Sequence, residues 1–206
     1  MDDEHGLSLR ELAAALALLP PSCGPVRLVA VDGHAGAGKT TLAGRLAAEL
    51  DGAPVVHTDD LATHEEPFGW AERLGEEVVG PFTAGRPARH RVYDWTARRF
   101  AAERTVPAAP VVLVEGVGTG RRALRPHLAL TLWLEVDRPT ARRRGLRRDG
   151  PELEHFWTGW SAAEDRHFAA DPTRPYADLL VHQTEDGYRA VPSRAGRPWS
   201  GAGDMA

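Results

Sequence analysis

Apolar residues near the start of the chain recur at helical spacing. Residues 7–19 (LSLRELAAALALL) carry this pattern, Ser8 stands where a helix cap belongs, and Pro20 and Pro21 end the run. The pattern then changes. Residues 26–31 (VRLVAV) form a short apolar run between Pro25 and Gly33, which predicts a buried strand. Residues 39–50 (KTTLAGRLAAEL) return to helical spacing. Further strands are predicted at 54–58, 110–115, 128–136 and 178–182. Helical stretches lie between them at about 68–80, 94–104, 138–148 and 152–168.

Strands without polar alternation, separated by helices, indicate a parallel sheet covered on both faces. The expected fold class is α/β, with about five parallel strands and helices on both sides. Residues 1–25 form an N-terminal helix and linker, and 26–183 form one domain. The tail 184–206 holds Gly, Pro and Arg without periodicity and is expected to be loosely ordered. Ligands of such sheets bind beyond the carboxyl ends of the strands, so the residues that follow each strand matter most.

Composition narrows the class. With 206 residues, 42% hydrophobic and 26% charged, the chain reads as one soluble domain. No apolar run approaches the roughly 20 residues that span a bilayer, so no membrane association is expected. The acidic start, Met-Asp-Asp-Glu, is the wrong charge for a secretory signal, and a cytoplasmic location is expected. The net charge of -4 argues against nucleic acid as a partner. The single cysteine, Cys23, allows no internal disulfide and reads as a buried thiol. Of 25 Lys+Arg, only Lys39 is lysine. Arginine replaces lysine easily on a solvated surface, but less easily where a compact ammonium is needed. Lys39 is therefore the first candidate for chemistry.

Lys39 falls inside Gly33-His-Ala-Gly-Ala-Gly38-Lys39-Thr40, which fits G-x-x-x-x-G-K-[ST] at every fixed position. The segment follows a predicted strand and opens a predicted helix, the context the motif requires. Glycines let backbone N–H groups converge on phosphate oxygens, and the helix N-terminus adds partial positive charge. The cradle comprises Gly33, Ala35, Gly36, Ala37, Gly38, Lys39, Thr40 and Thr41. Lys39 should reach the β- and γ-phosphates of ATP, and the Thr40 hydroxyl should ligate Mg²⁺. GTPases, ATPases and kinases share this motif, so it does not fix the fate of the γ-phosphate.

Two further strands end in carboxylates: strand two runs into Thr58-Asp59-Asp60, and strand three into Glu115-Gly116. Phosphoryl transfer needs a metal bridge and a group that takes the acceptor's proton. Asp59 is the candidate base and magnesium contact, and Glu115 the second contact. Taken singly, Asp59 or Asp60 could instead cap the next helix.

Taken together, these segments resemble the uridine kinase and phosphoribulokinase family of P-loop kinases, including short actinobacterial uridine kinase-like proteins. The similar stretches are VAVDGHAGAGKTTLA, VVHTDDLA, VYDW (Val92 to Trp95), VPAAPVVLVEGV, RRRGLRRD and DPTRPYADLLV, in the family's order over about residues 26–182. The resemblance implies a P-loop NTPase fold with an arginine-rich lid at about 140–168 and an ATP- and Mg-dependent kinase. It implies that Asp59 deprotonates a nucleoside 5′-hydroxyl, that Thr40, Asp59 and Glu115 surround magnesium, and that Tyr93 lines the nucleoside pocket. Arg144, Arg147 and Arg148 would cover the phosphates. The sequence departs from the family twice. Arg98 stands where the family has a base-reading histidine, and Asp59-Asp60-Leu61-Ala62 lacks the family's aromatic. The carboxylate for the ribose diol would be Glu65 or Glu66. Asp60 and Trp70 are further candidates to face the acceptor.

Residues 138–148 hold Arg138, Arg142, Arg143, Arg144, Arg147 and Arg148, with the last three on one helical face. Guanidinium forks suit phosphates whose charge shifts during transfer, and Arg144 and Arg148 join Asp59 and Lys39 as catalytic candidates. Alternatively the run is a solvated basic helix paired with Glu152 and Glu154. Trp157, Trp160 and Phe168 read as packing residues, and Glu164-x-x-His167 as a surface pair. The expected activity is phosphoryl transfer to a small hydroxylated acceptor, a nucleoside first. An antibiotic, sugar or secondary-metabolite intermediate is the alternative that Arg98 and the missing aromatic motivate, and a nucleotide-binding regulatory protein comes third. A homo-oligomer is compatible with the sequence.

Overall fold

The structure is a computed structural model, and it describes residues 6–193. Helix α1 (Leu9–Leu18) opens the described chain. Its cap is reciprocal: Ser8 Oγ accepts from the Glu11 amide at 3.3 Å, and the Glu11 carboxylate accepts from the Ser8 amide at 2.8 Å. Strand β1 (Arg27–Asp32) leads through a glycine-rich loop into α2 (Lys39–Glu49), and β2 (Val55–His57) follows. Three short helical pieces come next: α3 (Ala71–Leu74), a π-helical segment Gly75–Val79 and α4 (Gly80–Thr83). An antiparallel pair, β3 (Ala88–Asp94) and β4 (Arg99–Val106), precedes β5 (Val111–Glu115) and β6 (Leu130–Leu134). Helices α5 (Arg138–Asp149) and α6 (Glu154–Ala170) and strands β7 (Leu179–Thr184) and β8 (Gly187–Pro192) complete it.

The main sheet has six strands in the order β2-β5-β1-β6-β7-β8. The first five run parallel and β8 pairs antiparallel with β7. Successive β1 residues point to opposite faces, and both faces are buried. Val29 and Val31 join Leu12, Leu42 and Leu46 on one side; Leu28 and Ala30 join Val56, Leu74 and Phe82 on the other. The apolar runs in the sequence are this doubly covered sheet. Among the described residues no helix is long and apolar enough to cross a membrane.

Three expectations need correction. Residues 94–104 are not helical: they form the turn and much of β4. The alternation of buried Ala88 and His90 with exposed Arg89 and Arg91 sets a period of two, and Asp94 Oδ1 accepts the amides of Thr96 and Ala97 (2.9 and 2.8 Å) to make the turn. The helix expected over 68–80 is broken into the short pieces above, with Gly75 starting the π-helical segment. The stretch from 184 is ordered as far as Pro192, because Tyr188 and Ala190 alternate into the core and β8 pairs with β7. The rest of that expected tail, 194–206, lies outside the described residues.

Candidate active site

The carboxyl ends of β1, β2 and β5 meet at one edge of the sheet, and a cleft of about 720 Å³ opens there. Its floor is the loop between β1 and α2. Ala35, Gly36, Gly38, Lys39, Thr40 and Thr41 line it. Gly36 has φ +82°, and a Cβ there would collide with the Ala141 carbonyl oxygen of α5, so only glycine lets α5 sit this close. Lys39 is 7% exposed, and its Nζ donates to the His34 carbonyl at 3.0 Å, across the mouth of the loop. Gly33 and Ala37 belong to the loop but not to the cleft wall. Their amides are used internally: Gly33 donates to Asp32 Oδ1 at 2.7 Å, and Ala37 to the His34 carbonyl at 3.0 Å.

The carboxylates stand opposite. Glu115, at the end of β5, accepts from Thr40 Oγ1 at 3.0 Å and pairs with His57 Nδ1 at 2.6 Å. Burial would raise its carboxyl, but the His57 hydrogen bond, the Lys39 charge and the Thr40 hydroxyl outweigh this and hold it below the usual range. The His57 ring is raised in turn, chiefly by that hydrogen bond. Asp59 sits on the short 3₁₀ turn Thr58–Asp60 after β2, with no helix capped by its side chain. Protein surrounds it deep in the cleft, though solvent reaches its carboxylate. Its pKa is raised by this crowding and by the charge of Glu115, with Lys39 and His57 opposing. The ends of β2 and β5 approach closely because residue 116 is glycine (φ +150°): a Cβ there would strike the Thr58 hydroxyl.

Helix α5 supplies the facing wall through Arg144, Gly145 and Arg148. Arg148 pairs with Asp149 at 2.6 Å, which raises its pKa, and Arg144 reaches Gln183 at 3.3 Å. Arg147, expected on the same face, is exposed and off the wall, because residues four apart share a helical face more closely than residues three apart. Glu152 and Glu154 are not the helix's partners in the described contacts: Arg138 pairs with Asp165 and Arg142 donates to Thr158. The oxygens of Thr40, Asp59 and Glu115 are a hard donor set of the kind Mg²⁺ takes.

Solved structures with this architecture include a candidate uridine kinase from Bacillus stearothermophilus. It is 19% identical, has a TM-score of 0.60 and matches 84% of this chain and 96% of that one. A candidate fructose transport system kinase from Silicibacter sp. TM1040 is 25% identical, with a TM-score of 0.58 over 85% of this chain and 99% of that one. The fold is that of the P-loop kinases. No protein-family model matches the chain. A comparison with curated proteins gives no match.

The far end of this kinase-fold cleft is aromatic. His64, Trp95, Phe156 and Trp160 line it. Ring centroids lie 4.8 Å apart for His64 and Trp95, 6.0 Å for Trp95 and Trp160, and 5.8 Å for Phe156 and Trp160. Trp95 Nε1 also donates to the Asp59 carbonyl at 3.1 Å. Trp160 and Trp157 are thus both wall residues; Trp157 also packs against Gly145, and Phe168 packs against Trp133.

Most of the expected acceptor contacts lie elsewhere. Trp70 is 1% exposed in the core, with the Arg121 guanidinium 3.9 Å over its ring. Asp60 is held by Arg104 at 2.7 Å and is off the wall. Glu66 is exposed beside Arg73 at 3.6 Å, and Arg98 pairs with Glu65 at 3.3 Å on the hairpin turn. Tyr93 is buried behind His64, whose Nδ1 meets the Tyr93 hydroxyl at 3.0 Å. Glu164 is no surface residue: it is 3% exposed and bonded to His34 at 2.7 Å. His167 stacks on Phe68 with centroids 5.0 Å apart. Cys23 is buried against the Val79 carbonyl, and burial raises its thiol pKa. Sequence reasoning missed His57, His64, Trp95 and Phe156 on or beside the cleft, together with Asp32. The fully buried Asp32 carboxylate accepts the amides of Gly118 (2.8 Å) and Gly120 (2.9 Å) and so ties the loop after β5 to the end of β1.

Proposed function

We propose that this protein is an ATP- and Mg-dependent phosphotransferase that moves the γ-phosphoryl group to a hydroxyl of a small molecule, with a nucleoside 5′-hydroxyl as acceptor. One observation carries the reading: a single cleft joins a glycine loop and its lysine, two carboxylates, two arginines and an aromatic end. Mg·ATP would be held by Lys39, Thr40 and Glu115 and supplies the phosphoryl group. Asp59 takes the proton of the incoming hydroxyl. Its exposure on the cleft wall lets a substrate hydroxyl reach it. Lys39 exchanges the His34 carbonyl for phosphate oxygens. Arg144 and Arg148, across the cleft, counter the charge that spreads over the transferring group. The rings of His64, Trp95, Phe156 and Trp160 exclude water from the acceptor end and offer faces to a planar base.

A second reading keeps the kinase and changes the acceptor. Glu65 and Glu66, the candidates for a ribose diol, are off the cleft wall, and the one further wall carboxylate, Asp149, is engaged by Arg148. The name of the 25% identical neighbour points to a sugar instead. Mass spectrometry after incubation with ATP, Mg²⁺ and a panel of nucleosides and sugars separates the readings. Gain of one phosphoryl group on a nucleoside is expected. Gain on a sugar alone favours the second reading. ADP and inorganic phosphate without a modified acceptor would leave a nucleotide-hydrolysing regulator.

A further inference from the structure

Glu164 is a buried carboxylate for which the chemistry above has no use. It lies on α6, the helix that presents Phe156 and Trp160 to the acceptor end, and all three fall at four-residue spacing on one face. Its Oε1 is 2.7 Å from His34 Nδ1 and accepts the Ala35 amide at 3.3 Å. His34 and Ala35 are the first residues of the phosphate loop after Gly33. The His34 ring is also braced by the edges or faces of Trp133 and Phe168, at 5.4 and 5.6 Å. The His34 carbonyl in turn holds Lys39 Nζ at 3.0 Å. One carboxylate thus fixes the residue that parks the loop lysine, and it does so from a helix outside the loop. Glu164 does not line the cleft, so it can act on a ligand only through the loop.

We propose that Glu164 and His34 form a clamp by which α6 sets the conformation of the phosphate loop, and that Glu164 is thereby a positioning residue for the triphosphate. The inference rests on the kinase reading, because it assumes that the loop binds ATP. A binding loop held in its bound shape loses less entropy on binding, so loosening the clamp weakens donor affinity. A carboxylate that merely fills space in the core would lower stability when changed and leave nucleotide affinity alone.

The test is calorimetric titration of Mg²⁺ with a non-hydrolysable ATP analogue into the wild-type chain, Glu164→Gln, His34→Gln and the double variant. Each single change should weaken binding about tenfold, the size expected for losing a charge-assisted hydrogen bond that positions a loop. The double variant should be no weaker than Glu164→Gln alone, because the His34 change acts only through a contact that Glu164→Gln already weakens. Should Glu164→Gln fail to fold, His34→Gln, at a partly exposed position, gives the same reading. Unchanged affinity in folded variants would overturn the clamp while leaving the kinase reading intact. A wild-type chain that binds no analogue would overturn the kinase reading, and the clamp with it.

Discussion

Glu115 stays charged in a crowded cleft because two donors reach it, the His57 ring at 2.6 Å and the Thr40 hydroxyl at 3.0 Å. The pairing has a pH signature. His57 is raised above its ordinary 6.5, so its share of stability is complete below pH 6.5 and is lost as pH climbs through the folded value. Glu115 is lowered below its ordinary 4.5, so its share is complete above pH 4.5 and is lost as pH falls through the folded value. The stability gap between wild type and His57→Gln should therefore be widest between pH 4.5 and 6.5 and narrow on either side, as read by thermal melts across pH. A gap that does not vary with pH would contradict the pairing. At this scale, Lys39, Thr40, Asp59 and Glu115 were legible in the sequence because a fixed spacing or a strand end marks each. His57, His64, Asp32 and Glu164 were not. Their roles arise from partners far along the chain, such as Glu164 and His34, which lie 130 residues apart.

The parallel strands and the long helices were also legible, since each is a run of one period. The β3–β4 hairpin was not, because its exposed arginines and alanines mimic a polar helix when the period of two is not counted. Strand β8 was missed for a similar reason: Tyr188 and Ala190 are its only residues in the core. Helix α5 depends on a contact that spacing alone does not reveal, the seating of its Ala141 carbonyl against Gly36. Gly36→Ala should strain a left-handed residue and push α5 off the loop. We expect a loss of roughly 3 kcal/mol in urea unfolding, within the range for backbone strain plus overpacking. ATP affinity should fall with it, since Arg144 and Arg148 ride on α5. A neutral substitution would mean that α5 does not sit where it is described.

The whole molecule brings the strand ends, the loop and α5 and α6 around one cleft, so a ligand there should stabilise all of it. Saturation at 100 times Kd adds about 2.7 kcal/mol. For a chain of this size that corresponds to a rise in Tm of roughly 5–10 °C with Mg·ATP. Lys39→Met should remove most of the rise and leave the ligand-free Tm close to that of the wild type. A rise of equal size in both proteins would mean that the triphosphate binds elsewhere. The most direct test of the central claim is the product of one reaction, followed by phosphorus NMR with ATP, Mg²⁺ and uridine, in the wild type and in Asp59→Asn. The account predicts ADP and uridine 5′-monophosphate in equal amounts from the wild type, and a rate lower by about 10² to 10⁴ in the variant. Equal rates in the two proteins, or ADP accompanied only by inorganic phosphate, would contradict it.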